Sequence, residues 1–236
     1  MLLDANNIAF KNALNIFTDA SVINKTISIP AYVAIDGIEY NEIGPFGKAL
    51  ANSTNNEGEV YAIKMALEPC TSSTMLHLME KRYGGRYINI FSDSKITVYG
   101  LREWYNSWIK NMRDGILISS SGQPVANQQI YISIMRLISY YELKVNFYHV
   151  SGHVNHSNKQ EILKSMEDFK KFNYGISITP QFAMDLAILN DMIDKFSRTI
   201  PLDNHLLDIK TNQIFTPIID QNFDVNKYTS LIQRRI

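Results

Sequence analysis

The chain has 236 residues, enough for one large domain or a core domain with additions. Hydrophobic residues make up 45% and charged residues 19%, a mixture able to bury a core, and no apolar run approaches the ~20 residues that cross a bilayer. The formal net charge is zero, which disfavours a tight non-specific nucleic-acid binder but leaves room for a local basic strip. One cysteine, Cys70, excludes an intramolecular disulfide and a multi-cysteine zinc site. The opening residues lack a basic run followed by an apolar stretch, so no signal peptide is expected. A reducing, cytoplasmic location follows.

In chain order, Asn15 to Val22 reads as a strand, with Phe17 and Asp19 on one face. Ser28 to Ile35 and Glu39 to Ile43 read as two more, turned at Asp36-Gly37. Short connections make these three an antiparallel meander. The period then changes: Thr54 is a good N-cap, and Val60, Ile63 and Leu67 follow at helical spacing. Thr74 to Tyr83 is a short helix closed by Gly84-Gly85, and Tyr87 to Phe91 a short strand. Ser94 to Leu101, Glu103 to Asn111 and Gln128 to Glu142 are helical, and Lys144 to His149 alternates as a strand. Asn158 to Phe172 and Gln181 to Ser197 complete the elements as helices. This order predicts an α/β layer arrangement with a mixed sheet.

Acidic residues in separate short motifs stand out. Asp19 falls on the first strand. Asp93 falls at the C-terminal end of the fourth, where open α/β sheets place ligands. Glu59 lies in the first turn of the helix after Thr54, and Asp194 on the last helix. Such carboxylates meet only through a fold. At ~4 Å each pair repels by roughly 1–4 kcal/mol in media of effective dielectric 80 to 20. A pair of hard divalent cations is the natural occupant, and the chemistry it suggests is metal-dependent phosphodiester cleavage. Each residue also has a bland reading. A strand-end Asp is commonly a cap, a Glu in a first turn complements the helix dipole, and a late helical Asp is usually solvated.

The flanks decide between these readings. Phe17-Thr18-Asp19-Ala20-Ser21, Thr54-Asn55-Asn56-Glu57-Gly58-Glu59 and Phe91-Ser92-Asp93-Ser94 resemble, in order, the opening strand, helix start and fourth strand end of the type 1 ribonuclease H family. Trp104 and Trp108 sit four apart as in that family's tryptophan helix. Pro124-Val125-Ala126-Asn127 resembles the start of its next helix. Val150-Ser151-Gly152-His153 resembles its Gly-His loop, and Asn190-Asp191-x-x-Asp194 its last helix. The likeness covers most of 13–153 and resumes at 186–198.

The resemblance implies a ribonuclease H-like fold: a five-stranded mixed sheet, three antiparallel strands first, flanked by helices. It implies an endonuclease that hydrolyses the RNA strand of RNA–DNA hybrids with two Mg²⁺ or Mn²⁺ ions, leaving 3′-hydroxyl and 5′-phosphate ends. Asp19 would bridge both ions, Glu59 and Asp93 would hold one and Asp194 the other, with Asp191 and Asp185 as rivals to Asp194. His153 would assist proton movement or product release. Thr54 would help a phosphate pocket, Asn55 and Asn56 would read the hybrid, Lys95 would meet phosphate, and Trp104 would touch the DNA strand. Trp108 is assigned to packing, and His149 to a strand position without a catalytic role.

Departures mark this chain. Ala20 replaces the usual glycine. A segment of about 155–182 separates His153 from Asn190, with lid or substitute substrate-binding element as its expected roles. A catalytic domain over 1–198 is expected, followed by a 199–236 extension of unknown role that leaves a dimer open. Another nuclease on the same fold (a junction resolvase or exonuclease) and an inactive binding module are the alternatives.

Overall fold

A computed structural model describes residues 10, 12–38, 42–200 and 202, together with the backbone of 2–3. The strands are β1 (Leu2–Leu3), β2 (Leu14–Ile23), β3 (Ile27–Asp36), β4 (Glu42–Gly47), β5 (Leu50–Ala51), β6 (Tyr87–Ser92), β7 (Lys144–His149) and β8 (Ser177–Ile178). The helices are α1 (Asn55–Leu67), α2 (Ser73–Tyr83), α3 (Lys95–Tyr99), α4 (Tyr105–Lys110), α5 (Gln128–Tyr140), α6 (Lys159–Phe172) and α7 (Pro180–Ser197). A π-wound turn, Gly100–Trp104, joins α3 to α4. No helix among the described residues is long and apolar enough to cross a membrane.

The main sheet runs β4-β3-β2-β6-β7, with β5 paired to β3. β2, β3 and β4 are antiparallel, whereas β6 and β7 run parallel to β2 and to each other. This is the mixed sheet expected, with three antiparallel strands first. The expected third strand began at Glu39. The observed β4 begins at Glu42, and 39–41 lie outside the described residues.

β2 is apolar on both faces because both are covered. Leu14 and Ile16 join the cluster under α1, α2 and α5. Phe17 points the other way, into the cluster that α6 and α7 build. There Phe17, Phe91 and Tyr148 stand in register on adjacent strands and stack at 4.7 and 5.3 Å. Such cross-strand aromatic pairs help pin the register.

The segment 155–182 belongs to this second core. Asn158 caps α6 by accepting from the Gln160 backbone amide, and Ile162 and Phe169 are buried. Ile178 on β8 and Ala183 on α7 extend the same cluster. A lid would keep a solvated inner face. The inner face of this segment is instead packed into the core, and the expected substrate-binding role would fall to its outer face. Of the expected extension, Ile200 packs into the same core. Leu206, Ile214, Phe215 and Ile218 lie outside the described residues.

Candidate active site

The sheet register brings two carboxylates together. β2 and β6 run parallel with Thr18 opposite Ser92, so the next residues, Asp19 and Asp93, emerge side by side at the same sheet end. Helix α1 supplies the third. Thr54 caps it by accepting from the Glu57 backbone amide at 3.2 Å. Since α1 begins at Asn55, Glu59 sits in its second turn, one turn later than the sequence suggested. Carboxylate oxygens of Asp19, Glu59 and Asp93 lie within 4.8 Å of one another.

Two glycines allow this closeness. A Cβ at Gly58 would sit 1.7 Å from Ser28 Oγ and 3.0 Å from Ala20 Cβ, so only glycine lets α1 lie this near the sheet. Ala20, which stands where a glycine was expected, is thus accommodated by the glycine facing it. A Cβ at Gly152 would lie 2.4 Å from Asp93 Oδ2, so the loop after β7 runs directly over that carboxylate.

The electrostatics follow from burial. Asp19 and Glu59 are almost fully enclosed. Desolvation, then the nearby Asp93 carboxylate, pushes Asp19 up to about 8, against one short bond from the Ala20 amide to Asp19 Oδ1. Glu59 is raised well above the carboxylate range by burial and by Asp19 and Asp93. Asp93 is raised by burial, opposed by a hydrogen bond from the Asn190 side chain. Glu59 Oε2 is buried with no hydrogen-bond partner among the described residues. Three converging carboxylates with an orphaned oxygen form a hard, oxygen-rich donor set suited to a divalent cation.

A cleft of about 610 Å³ opens over this trio, lined also by Ala20, Ser21, Asn55, Ser94, His153, Asp194 and Arg198. Asp194 faces the cleft from the last full turn of α7. Its Oδ1 accepts from Arg198 Nη2 at 2.8 Å, and its Oδ2 lies 3.8 Å from His153 Nδ1. Asp194 acts electrostatically on Asp19 and Asp93 but stands outside the close trio. The rivals turn elsewhere: Asp191 pairs with Lys195 at 2.7 Å, and Asp185 accepts from Gln181. His153 adopts left-handed backbone (φ 52°) and is 74% exposed at the rim.

The other residues singled out in the sequence are placed unevenly. Asn55 lines the cleft, while Asn56 is exposed beside it. Thr54 serves as the α1 cap. The Lys95 ammonium lies 3.9 Å from the centre of the Phe172 ring, away from the cleft lining. Trp104 is 42% exposed and stacks on Tyr99, whereas Trp108 is buried against Tyr131.

Three contributors escaped sequence reasoning. Asn190 reaches Asp93, Arg198 reaches Asp194, and His149 Nε2 lies 3.1 Å from the Asp93 carbonyl oxygen. The first two carried a signal: Asn190, Asp194 and Arg198 recur every four residues on one helix face. His149 carried none, because a strand position does not reveal which carbonyl its ring meets.

The sequence model of the family described as RNase H matches residues 11–162. The chain belongs to the RNase H family. The described sheet and its flanking helices are the RNase H fold. Among curated relatives, Ribonuclease HI of Haemophilus influenzae is 30% identical over 117 residues, 48% of this chain and 62% of that protein. Ribonuclease H of a second strain of that species matches with the same figures. The chain therefore spans about 62% of the length of these relatives. Among solved structures, RNase H1 of the archaeon Halobacterium salinarum aligns with TM-score 0.40 and 15% identity over 59% of this chain and 86% of that one. A foamy viral protease-reverse transcriptase in complex with RNA/DNA hybrid aligns with TM-score 0.48 and 15% identity over 74% of this chain and 21% of that one. The RNase H match ends inside α6, so the rest of α6, β8 and α7 lie beyond it.

Proposed function

We propose that this chain is an endonuclease that hydrolyses the RNA strand of RNA–DNA hybrids, leaving 3′-hydroxyl and 5′-phosphate ends. The observation that carries the reading is the convergence of Asp19, Glu59 and Asp93 in one buried group within a chain of the RNase H family. Asp19, Glu59 and Asp93 would hold one divalent ion, Mg²⁺ or Mn²⁺, and Asp19 with Asp194 a second. When bound, such ions lower the pKa of an attacking water and stabilise the departing 3′-oxygen.

The protein's own groups orient and exchange. The Ala20 amide fixes one Asp19 oxygen. The Asn190 side chain fixes Asp93, and Arg198 fixes Asp194. His153, exposed at the rim beside Asp194, would assist proton movement or product release. Asn55, on the cleft wall, would read the hybrid, whose ribose 2′-hydroxyl separates RNA from DNA. Asn56 and Thr54 next to it, Lys95 after the Asp93 turn and the exposed Trp104 complete the proposed substrate surface.

The test is incubation of the full chain with end-labelled RNA–DNA hybrid, duplex RNA, duplex DNA and a four-way DNA junction, with Mg²⁺ and with chelator. Mg²⁺-dependent cleavage confined to the hybrid is expected. Asp93→Asn should abolish that cleavage while hybrid binding in a gel-shift assay persists. Cleavage of the junction or of duplex DNA in preference to the hybrid overturns the reading, and an active Asp93→Asn removes Asp93 from the site.

A further inference from the structure

β7 is the outer strand of the sheet, so its far edge would present bare peptide groups. Two side chains cover that edge beside the active site. Asn173, which follows α6 and is 0% exposed, accepts from the His149 backbone N–H at 2.9 Å and donates to the His149 carbonyl at 2.8 Å. It also donates to the Phe169 carbonyl and accepts from Arg102 Nη1, so its amide is fully used. Arg102, from the π-wound turn, meets the Phe147 carbonyl at 3.1 Å and the Phe172 carbonyl at 2.8 Å. One strand edge is thereby sealed by two side chains that also bond each other.

The His149 ring then points inward. It rests edge-on against Phe172, with ring centres 5.2 Å apart. Its Nε2 lies 3.1 Å from the Asp93 carbonyl, which can only accept, so Nε2 carries the proton and donates. A continuous path runs from Asn173 to the His149 backbone, and from the His149 ring to the Asp93 backbone. Asn173 and most of α6 lie beyond the RNase H match, which ends at residue 162.

We infer that the α6–β8 segment is a positioning clasp for the active site: Asn173 fixes His149, and His149 holds the Asp93 backbone so that its carboxylate meets Asp19 and Glu59 in ion-binding geometry. Neither residue touches substrate, and both act through Asp93. The inference rests on the trio binding a divalent ion, as proposed above. Outer partners of metal ligands typically contribute 10–100-fold in ion affinity.

The test is Mn²⁺ titration of the full chain without nucleic acid, at one pH, followed by the electron-paramagnetic signal of the free ion. His149→Phe, which keeps a ring but loses the donor, should weaken Mn²⁺ binding about 10-fold or more. Asn173→Ala should do likewise. His149→Gln, which restores an N–H of similar reach, should recover most of the loss, an outcome that packing alone does not give. Circular dichroism confirms that each variant folds. If Asn173→Ala does not fold, the His149→Phe and His149→Gln pair decides. Wild-type affinity in folded His149→Phe, equal losses in His149→Phe and His149→Gln, or a wild type that binds no Mn²⁺ each overturns the clasp. Since no nucleic acid is present, a wild type that binds Mn²⁺ but leaves hybrid uncut is a separate failure, belonging to the substrate assignment alone.

Discussion

Gly58 shows how one missing side chain sets the geometry of a site. The α1 backbone approaches β2 and β3 so closely that a Cβ would fall 1.7 Å from Ser28 Oγ. Glu59 is the next residue, so any shift that relieved the clash would also move its carboxylate away from Asp19. Gly58→Ala is therefore expected to destabilise the protein by about 1–3 kcal/mol, the usual range for overpacking, although alanine has the better helix propensity. Ser28→Ala removes the atom that clashes hardest. Combined with Gly58→Ala, it should cost less than the sum of the two single changes, since residues in contact couple by about 0.5–3 kcal/mol. Urea unfolding of the two single variants and the double variant measures this. Simple additivity would mean that α1 moves as a body and that Ser28 does not set its distance from the sheet. The sequence displayed Gly58 inside the helix-start motif. It gave no sign that the partner was Ser28, because that contact depends on the hairpin between β2 and β3.

The elements divide by how local their causes are. The α1 cap, the Phe17-Thr18-Asp19 strand and the Asp93 strand end were legible because each is written in contiguous residues with a matching period. The third strand continues past the expected Ile43 to Gly47, and its pairing with β3 shifts register between Tyr32 and Ala34, which no local pattern encodes. Asp194 was named with rivals, and α7 separates them by side-chain partners that spacing does not encode: Arg198 for Asp194 and Lys195 for Asp191. The α6 segment is legible as a helix, with a lid or a substitute substrate-binding element as its expected roles. Its charged composition describes the outer face, while Ile162 and Phe169 decide its place. These two views predict different phenotypes. Phe169 is buried and stacks on Tyr148 at 6.0 Å, so Phe169→Ala should cost about 3–5 kcal/mol of folding stability. Guanidinium unfolding tests this. A variant of unchanged stability with weakened hybrid binding would restore the lid.

At the scale of the whole molecule, a chain with no net charge brings four carboxylates, Asp19, Glu59, Asp93 and Asp194, around one cleft, which makes its stability depend on pH and on ions together. Burial and mutual repulsion lift Asp19 to about 8 and raise Glu59 and Asp93 in the same direction. In the unfolded chain a carboxyl titrates near ~4. Between these values the folded state binds more protons than the unfolded state, so stability falls as pH rises, and the full penalty of Asp19 is present above about 8. His149 works in the opposite sense at acid pH. Buried neutral, with its pKa lowered to about 4, it withdraws stability as pH falls below ~6.5. From ~6.5 to about 8 the acids set the slope, and above that Lys48, lowered to about 8 by burial, opposes them. In chelator, the melting temperature is expected to drop by a few degrees from pH 6.5 to 8.5, corresponding to about 1–3 kcal/mol. Asp19→Asn, which removes one charge without changing shape, should flatten that slope and melt above the wild type at pH 8.5. Excess Mg²⁺ should reverse the order of the two proteins. An ion that binds only the folded state stabilises it by mass action, and the wild type has the ligand that the variant lacks. Differential scanning calorimetry over this pH range, with Mg²⁺ and with chelator, tests both halves. A wild-type melting temperature that is flat in chelator and unmoved by Mg²⁺ would show that the carboxylates neither repel in the folded protein nor gather an ion.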